Sequence, residues 1–187
     1  MFLLSTSIFA NPVLNNISSG QVSIQQMPNS TVVNQSSQNA IINWQSFNIG
    51  AQESTRFQQP QGGIALNRIN PSQGVSQIFG RLTATGQIIL VNPAGIYFGP
   101  TSYVNVGGLI ATTANISDQD FLNGYYHFAN TSGIHGSIIN SGQNANNNNA
   151  SQAYVTSDYG VVNLTSTLPL LNTTQVVSAD SCYQMWQ

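Results

Sequence analysis

The sequence predicts an all-β protein wound as a parallel β-helix, and three observations lead there. Apolar residues come in short runs broken every few positions by Gly, Asn or Asn-Pro, and no stretch after the first ten residues keeps a helical period. The breaks are too short for hairpin ladders of ordinary length, whereas stacked turns of short strands joined by tight corners fit the spacing. Polarity resides in uncharged side chains: 23 Asn, 19 Gln, 22 Ser and 14 Thr stand among 187 residues, of which 4% are charged. Inward Val, Ile and Leu would fill such a coil, outward Ser, Thr and Asn would hydrate it, and Asn suits its corners.

Residues 1–10 form an apolar run ending at Ala10, which reads as the end of a secretory signal peptide that lacks its charged start. A buried N-terminal strand is the other reading of that run. Residues 11–187 are then the folded domain. Strands are expected at 21–24, 41–49, 86–91, 95–98, 103–106, 109–112, 136–139 and 161–164, with glycine pairs at 62–63 and 107–108 between them. Trp44 and Phe47 are three apart, so on one alternating strand they would point to opposite faces. The Asn-rich stretch 142–150 reads as a loop inserted between rungs; an amyloid subunit would instead space its amides along the whole chain. Eight Asn-x-Ser/Thr sequons follow from composition alone and make glycosylation a weak expectation. The lone Cys182 excludes an intrachain disulfide and a multi-cysteine zinc site.

Charge removes whole classes of function. Arg56, Arg68 and Arg81 are the only basic side chains besides two histidines, and the net charge is −2, so no phosphate-neutralising surface can form. No later stretch is long and apolar enough for a transmembrane helix. An enzyme is the main rival reading, because polysaccharide-active β-helices use acidic clusters. Here that cluster is Asp118 and Asp120 with His127 nearby, and a helix-cap or turn role fits the two acids better. His127 and His135 have no metal-ligand spacing. No cofactor and no metal are expected.

An ordered series of phrases carries a resemblance: 41–49 as Ile-Ile-Asn-Trp-Gln-Ser-Phe-Asn-Ile, then Phe57-Gln58, Leu66-Asn67-Arg68-Ile69, Gly80-Arg81-Leu82, Gly86-Gln87, and Leu90-Val-Asn-Pro-Ala-Gly-Ile96. It continues through Asn105-Val-Gly-Gly-Leu-Ile-Ala111 and Thr113-Ala-Asn-Ile-Ser117, covering about residues 13–140. This series resembles the two-partner-secretion domain, the N-terminal haemagglutination-activity region of filamentous haemagglutinins and high-molecular-weight adhesins. The resemblance implies a right-handed parallel β-helix with N-terminal capping strands. It also implies export to the periplasm and recognition by the POTRA domains of an outer-membrane, TpsB-type β-barrel transporter. Beyond that step, secretion or display at the cell surface follows, with host-cell receptors or glycans as further partners. A carbohydrate-binding surface fragment remains the alternative to a secretion module. Relatives continue for hundreds of residues into an effector, so the end at Gln187 reads either as a truncated frame or as a stand-alone module.

The candidate recognition residues are Asn67, Arg68, Ile69, Asn92, Pro93, Ala94, Gly95 and Ile96. The family's Asn-Pro-Asn-Gly-Ile appears with alanine at position 94, and a second Asn-Pro-Asn motif is absent near Phe47, which places the chain nearer the adhesins. Pro93 fixes φ and Gly95 can take positive φ, so the pentapeptide also reads as a rigid corner. Its two readings, rung geometry and transporter contact, stay side by side. Arg68 reads either as a recognition residue or as the partner of Glu53.

Overall fold

The computed structural model describes residues 11–129, 131–134, 136–141, 153–156, 163–164 and 174–176. The sequence expectations at 1–10, His135, 142–150 and Cys182 lie outside them. The chain opens with two antiparallel strands, β1 (Val13–Ser19) and β2 (Val22–Met27), and then coils through β3 (Ser30–Gln35), β4 (Asn39–Ser46), β5 (Ser54–Gln58) and β6 (Ile64–Ile69). A short 3-10 turn leads to β7 (Ser76–Ile78), followed by β8 (Arg81–Ala84), β9 (Gln87–Val91), β10 (Gly95–Phe98), β11 (Tyr103–Asn105) and β12 (Gly108–Thr112). After a helical turn, α1 (Asp118–Leu122), come β13 (Ser137–Asn140), β14 (Ala153–Thr156), β15 (Asn163–Leu164) and β16 (Thr174–Val176).

Consecutive strands fall into different sheets, and strands one coil apart pair in parallel. The first sheet runs β1-β4-β6-β9-β12-β14-β16, the second β15-β13-β10-β7, and the third β11-β8-β5-β3-β2. This is the parallel β-helix expected, with β1 antiparallel to β4 and β2 antiparallel to β3 as its N-terminal cap. Register is strict enough to read as columns. Inward-facing Ala40, Ala65, Ile88 and Leu109 stack along the first sheet, and Val33 and Phe57 stack on the third. Every side chain in such a column meets its equivalents above and below, so a few short apolar runs suffice to bury a continuous core.

The structure corrects several sequence expectations. The strand expected at 41–49 ends at Ser46, and Ile49 joins Ile78 only by an isolated bridge. Trp44 and Phe47 therefore do not share an alternating strand. The chain turns at the corner between them, both rings are buried, and they pack edge to face with centroids 5.3 Å apart. Strands β1, β3, β5, β6, β7, β8, β14 and β16 form where none was expected; in β3, β5, β7 and β8 polar Ser, Thr, Gln, Asn and Arg make up half or more of the residues, a weak strand signal without the neighbouring rungs. Finally, the outer face of the first sheet is not hydrated. Ile41, Leu66, Ile89 and Ile110 form an outward apolar column, and residues 113–129, which include α1, fold over it as a flap.

At the corner between the third and first sheets, glutamine amides pair the backbone carbonyls. Gln35 Nε2 donates to the carbonyls of Ser37 (2.8 Å), Gln38 (3.1 Å) and Ile64 (3.1 Å). One coil on, Gln59 Nε2 donates to Gln35 Oε1 and to the carbonyls of Gly63 and Gln87. Corner carbonyls that a strand ladder cannot reach are thus paired by side-chain amides.

Candidate recognition site

The two candidate motifs, separated in sequence, lie side by side in the fold. Asn67 stands opposite Leu90 and Arg68 opposite Val91 in the β6–β9 ladder, and Asn92 begins the corner immediately after Val91. What the side chains do there follows from strand alternation. Asn67 and Ile69 point into the coil, whereas Arg68 points outward toward the flap.

Asn67 is fully buried, and its amide is fully used. Its Oδ1 accepts the Trp44 indole N–H at 2.9 Å, and its Nδ2 donates to the carbonyls of Ala65 (3.0 Å) and Ile89 (3.3 Å). A buried polar side chain is tolerated only when paired in this way. Ile69 packs in the same core, opposite Trp44 in register.

Asn92 repeats the device at the next corner. Its Nδ2 donates to Gly74 O (3.0 Å) and Ser76 Oγ (2.9 Å) on the coil beneath, while its Oδ1 accepts the Ala94 N–H (3.0 Å) and its carbonyl accepts the Gly95 N–H (2.9 Å). The Asn thereby closes the Pro93-Ala94 turn from both ends and ties it to the rung below. Gly95 follows at φ 114°, a left-handed conformation that a side chain would strain. The rung above presses on the same corner: Gly136 N donates to Pro93 O at 2.9 Å, and a Cβ at Gly136 would lie 2.3 Å from the Ala94 carbonyl carbon. Ile96 is buried in the core, and Ala94 is half-buried.

Arg68 is the clasp of the flap. Its Nε donates to Asn115 Oδ1 at 3.1 Å, and its terminal nitrogens bond Asp118 Oδ1 and the Ile116 carbonyl. The partner weighed from sequence, Glu53, is instead buried and accepts the Gly50 N–H at 2.8 Å. Asp118 also opens α1, where Ser117 caps the helix by accepting the Asp120 N–H at 3.0 Å. Both acids sit in the first turn, where the helix N-terminus favours negative charge. Of the cap or turn role expected for them, the structure shows the turn: the cap is Ser117, and both acids belong to the first helical turn. Sequence reasoning missed Asn115 and Asp118 as partners of Arg68, because they lie 47 and 50 positions further along the chain. Under the clasp, Phe121 and Phe128 are buried, and Tyr126 packs edge to face on Phe121. Burial raises the Tyr126 hydroxyl above its ordinary pKa of 10.0. His127 is exposed on the flap, and no group of three or more metal-ligating side chains is found among the described residues.

Comparison with known proteins agrees with this architecture. The HMW1 secretion domain from Haemophilus influenzae superposes with a TM-score of 0.66 at 30% identity, covering 82% of this chain and 39% of that one. A heme/hemopexin-binding protein of Haemophilus influenzae (strain ATCC 51907 / DSM 11121 / KW20 / Rd) is 35% identical over 98 residues, which is 52% of this chain and 11% of the relative. Another heme/hemopexin-binding protein from Haemophilus influenzae is 40% identical over 85 residues, 45% of this chain and 9% of the relative. The chain thus spans about a tenth of the length of these curated relatives. The family described as TPS secretion domain matches residues 10–179, nearly the whole chain, and this protein belongs to that family.

Proposed function

We propose that this chain is a non-catalytic targeting module of a two-partner exoprotein of the adhesin or haemagglutinin type, read in the periplasm by the POTRA domains of a TpsB-type outer-membrane transporter. Export and rung-by-rung folding at the cell surface then follow. The observation that carries this reading is the fate of the recognition motifs on folding: Asn67, Ile69, Asn92, Pro93, Gly95 and Ile96 are all buried, and Asn67 and Asn92 spend their amides inside the coil. A transporter that reads these side chains reads the chain before it folds. Folding outside then hides them, so an exported chain is not recaptured, and stacking each rung buries apolar surface at about 25 cal/mol per Å². Two relatives are named for heme/hemopexin binding, yet the shared stretch is a small part of them, so we assign that stretch to export rather than to ligand capture. The enzyme reading is weaker because its acid pair already serves Arg68 and the α1 N-terminus.

The test is co-expression of the chain, behind a complete signal peptide, with and without a two-partner transporter, reading its appearance in the medium. Transporter-dependent release that drops for Asn92→Ala and Arg68→Ala, with the periplasmic variants still soluble, is the expected result. Release indifferent to the transporter would overturn the proposal.

A further inference from the structure

The outer face of the third sheet carries a cleft for which export has no evident use. Register arranges this face in columns: Ser23, Asn34 and Gln58 form one, Val32, Arg56, Thr83 and Asn105 the next, and Ser54, Arg81 and Tyr103 the third. Two of the chain's three arginines therefore stand on adjacent strands one column apart, at a diagonal spacing of about 7–8 Å. Both are exposed, and Arg81 lies over the Tyr103 ring with its guanidinium carbon 4.2 Å from the centroid. Among the described residues neither arginine has an ion pair. Glu53 is turned to its own loop, and Asp118 and Asp120 lie on the flap over the first sheet. Among the described residues this face thus carries two arginines and no carboxylate, Arg56 beside the cleft and Arg81 leaning toward β11, so its potential favours an anion.

Beside Arg56 the surface is hollowed. A cleft of about 650 Å³ is lined by Ser23, Asn34, Arg56 and Gln58, with Val22 and Pro60 as apolar walls. That volume lies within the usual range of small-ligand sites, roughly 300–1,000 Å³. The side chains of Asn34, Gln58 and Arg56 make no hydrogen bond to other described residues, so their donors and acceptors face outward. Amides and a hydroxyl suit vicinal sugar hydroxyls, small apolar walls suit the C–H faces of a pyranose, and a guanidinium suits a carboxylate held in two parallel hydrogen bonds.

We propose that this cleft binds a carboxylated saccharide, a short uronic-acid oligomer in chemical class. Arg56 takes one carboxylate, Ser23, Asn34 and Gln58 take hydroxyls, and Arg81 on its tyrosine takes the next carboxylate along the chain. An acidic peptide fits less well, because β3 and β5, which form the floor, are paired on both sides and offer no backbone ladder. This inference does not depend on the export reading, since it concerns the folded chain.

Calorimetric titration of the purified chain with trigalacturonate at low salt tests it, with maltotriose and hexaglutamate as parallel probes and side-chain amide NMR to locate the site. The expected result is saturable binding of trigalacturonate that weakens with added salt and falls about tenfold for Arg56→Gln, with the Asn34 and Gln58 amide resonances shifting. Arg81→Gln should weaken it less, Gln119→Ala on the flap should leave it unchanged, and maltotriose should not bind. The proposal is overturned if trigalacturonate does not saturate, if Arg56→Gln binds equally well, or if the shifted amides lie elsewhere. Hexaglutamate binding as tightly as trigalacturonate would overturn it in favour of an acidic peptide.

Discussion

Buried polar side chains in this coil are of two kinds, and the difference sets their energetic sign. Asn67 bonds through both ends of its amide, so Asn67→Ala leaves the Trp44 N–H and two carbonyls short of a partner and opens a void. We expect that change to cost about 2–3 kcal/mol. Thr31 and Thr55 stack on each other in the third sheet, both fully buried, with hydroxyls that find no partner among the described residues. Thr55→Val keeps the shape and removes the unpaired group, so it should raise stability by about 1 kcal/mol. Urea unfolding of the two variants beside the parent chain reads both signs in one experiment.

The flap at 113–129 is held by two things, the apolar packing of Ala114, Ile116, Phe121 and Phe128 and the bonds of one arginine. It covers Leu66, Ile89 and Ile110 and is tied to the sheet by Arg68. Arg68→Ala should lower stability by about 2 kcal/mol and speed amide hydrogen exchange within the flap more than in the coil. Asp118→Asn should cost less than about 1 kcal/mol, because the Asp118 side chain is 52% exposed and water already screens the pair. Tyr126 adds a pH dependence. Its folded pKa is raised by burial, so above pH 10.0 the folded flap holds a proton that the unfolded chain releases. Stability is therefore whole below that pH and falls as pH rises through the folded value. Thermal melts in alkaline buffer should show this loss in the parent chain and a smaller one in Tyr126→Phe.

At the scale of the whole molecule, the proposed export bears on folding: if Asn67 and Asn92 are what the transporter reads, a coil that buries them makes the folded state an obstacle to export. A cross-link between rungs tests this directly. Thr83 and Asn105 are register partners on neighbouring strands of the third sheet. Thr83→Cys with Asn105→Cys, in a Cys182→Ser chain, should form a disulfide in an oxidising periplasm and close a loop across one rung. Transporter-dependent release should fall about tenfold and return in a host that does not make periplasmic disulfides, whereas equal release in both hosts would mean that folded rungs pass the barrel. The same fold explains why strand pairing escaped sequence reasoning while the architecture did not. Runs such as 87–91 and 108–112 are apolar enough to mark themselves, but 30–35 and 54–58 become strands only because Val33 and Phe57 stack between neighbouring rungs.

Composition and spacing by themselves determined a β-coil, since short runs with tight corners have few ways to bury a core, and the ordered phrases from Ile41 to Ser117 determined its family. They also marked the Asn92–Ile96 corner, because proline and glycine restrict the backbone wherever they stand. Only the tertiary structure decided what Arg68 touches, that Trp44 and Phe47 share a core, and that an apolar column lies under a flap. The physical reason is range: corners and strands are set by neighbouring residues, whereas the partners of Arg68 lie 47 to 50 positions away and meet it only once successive rungs have stacked.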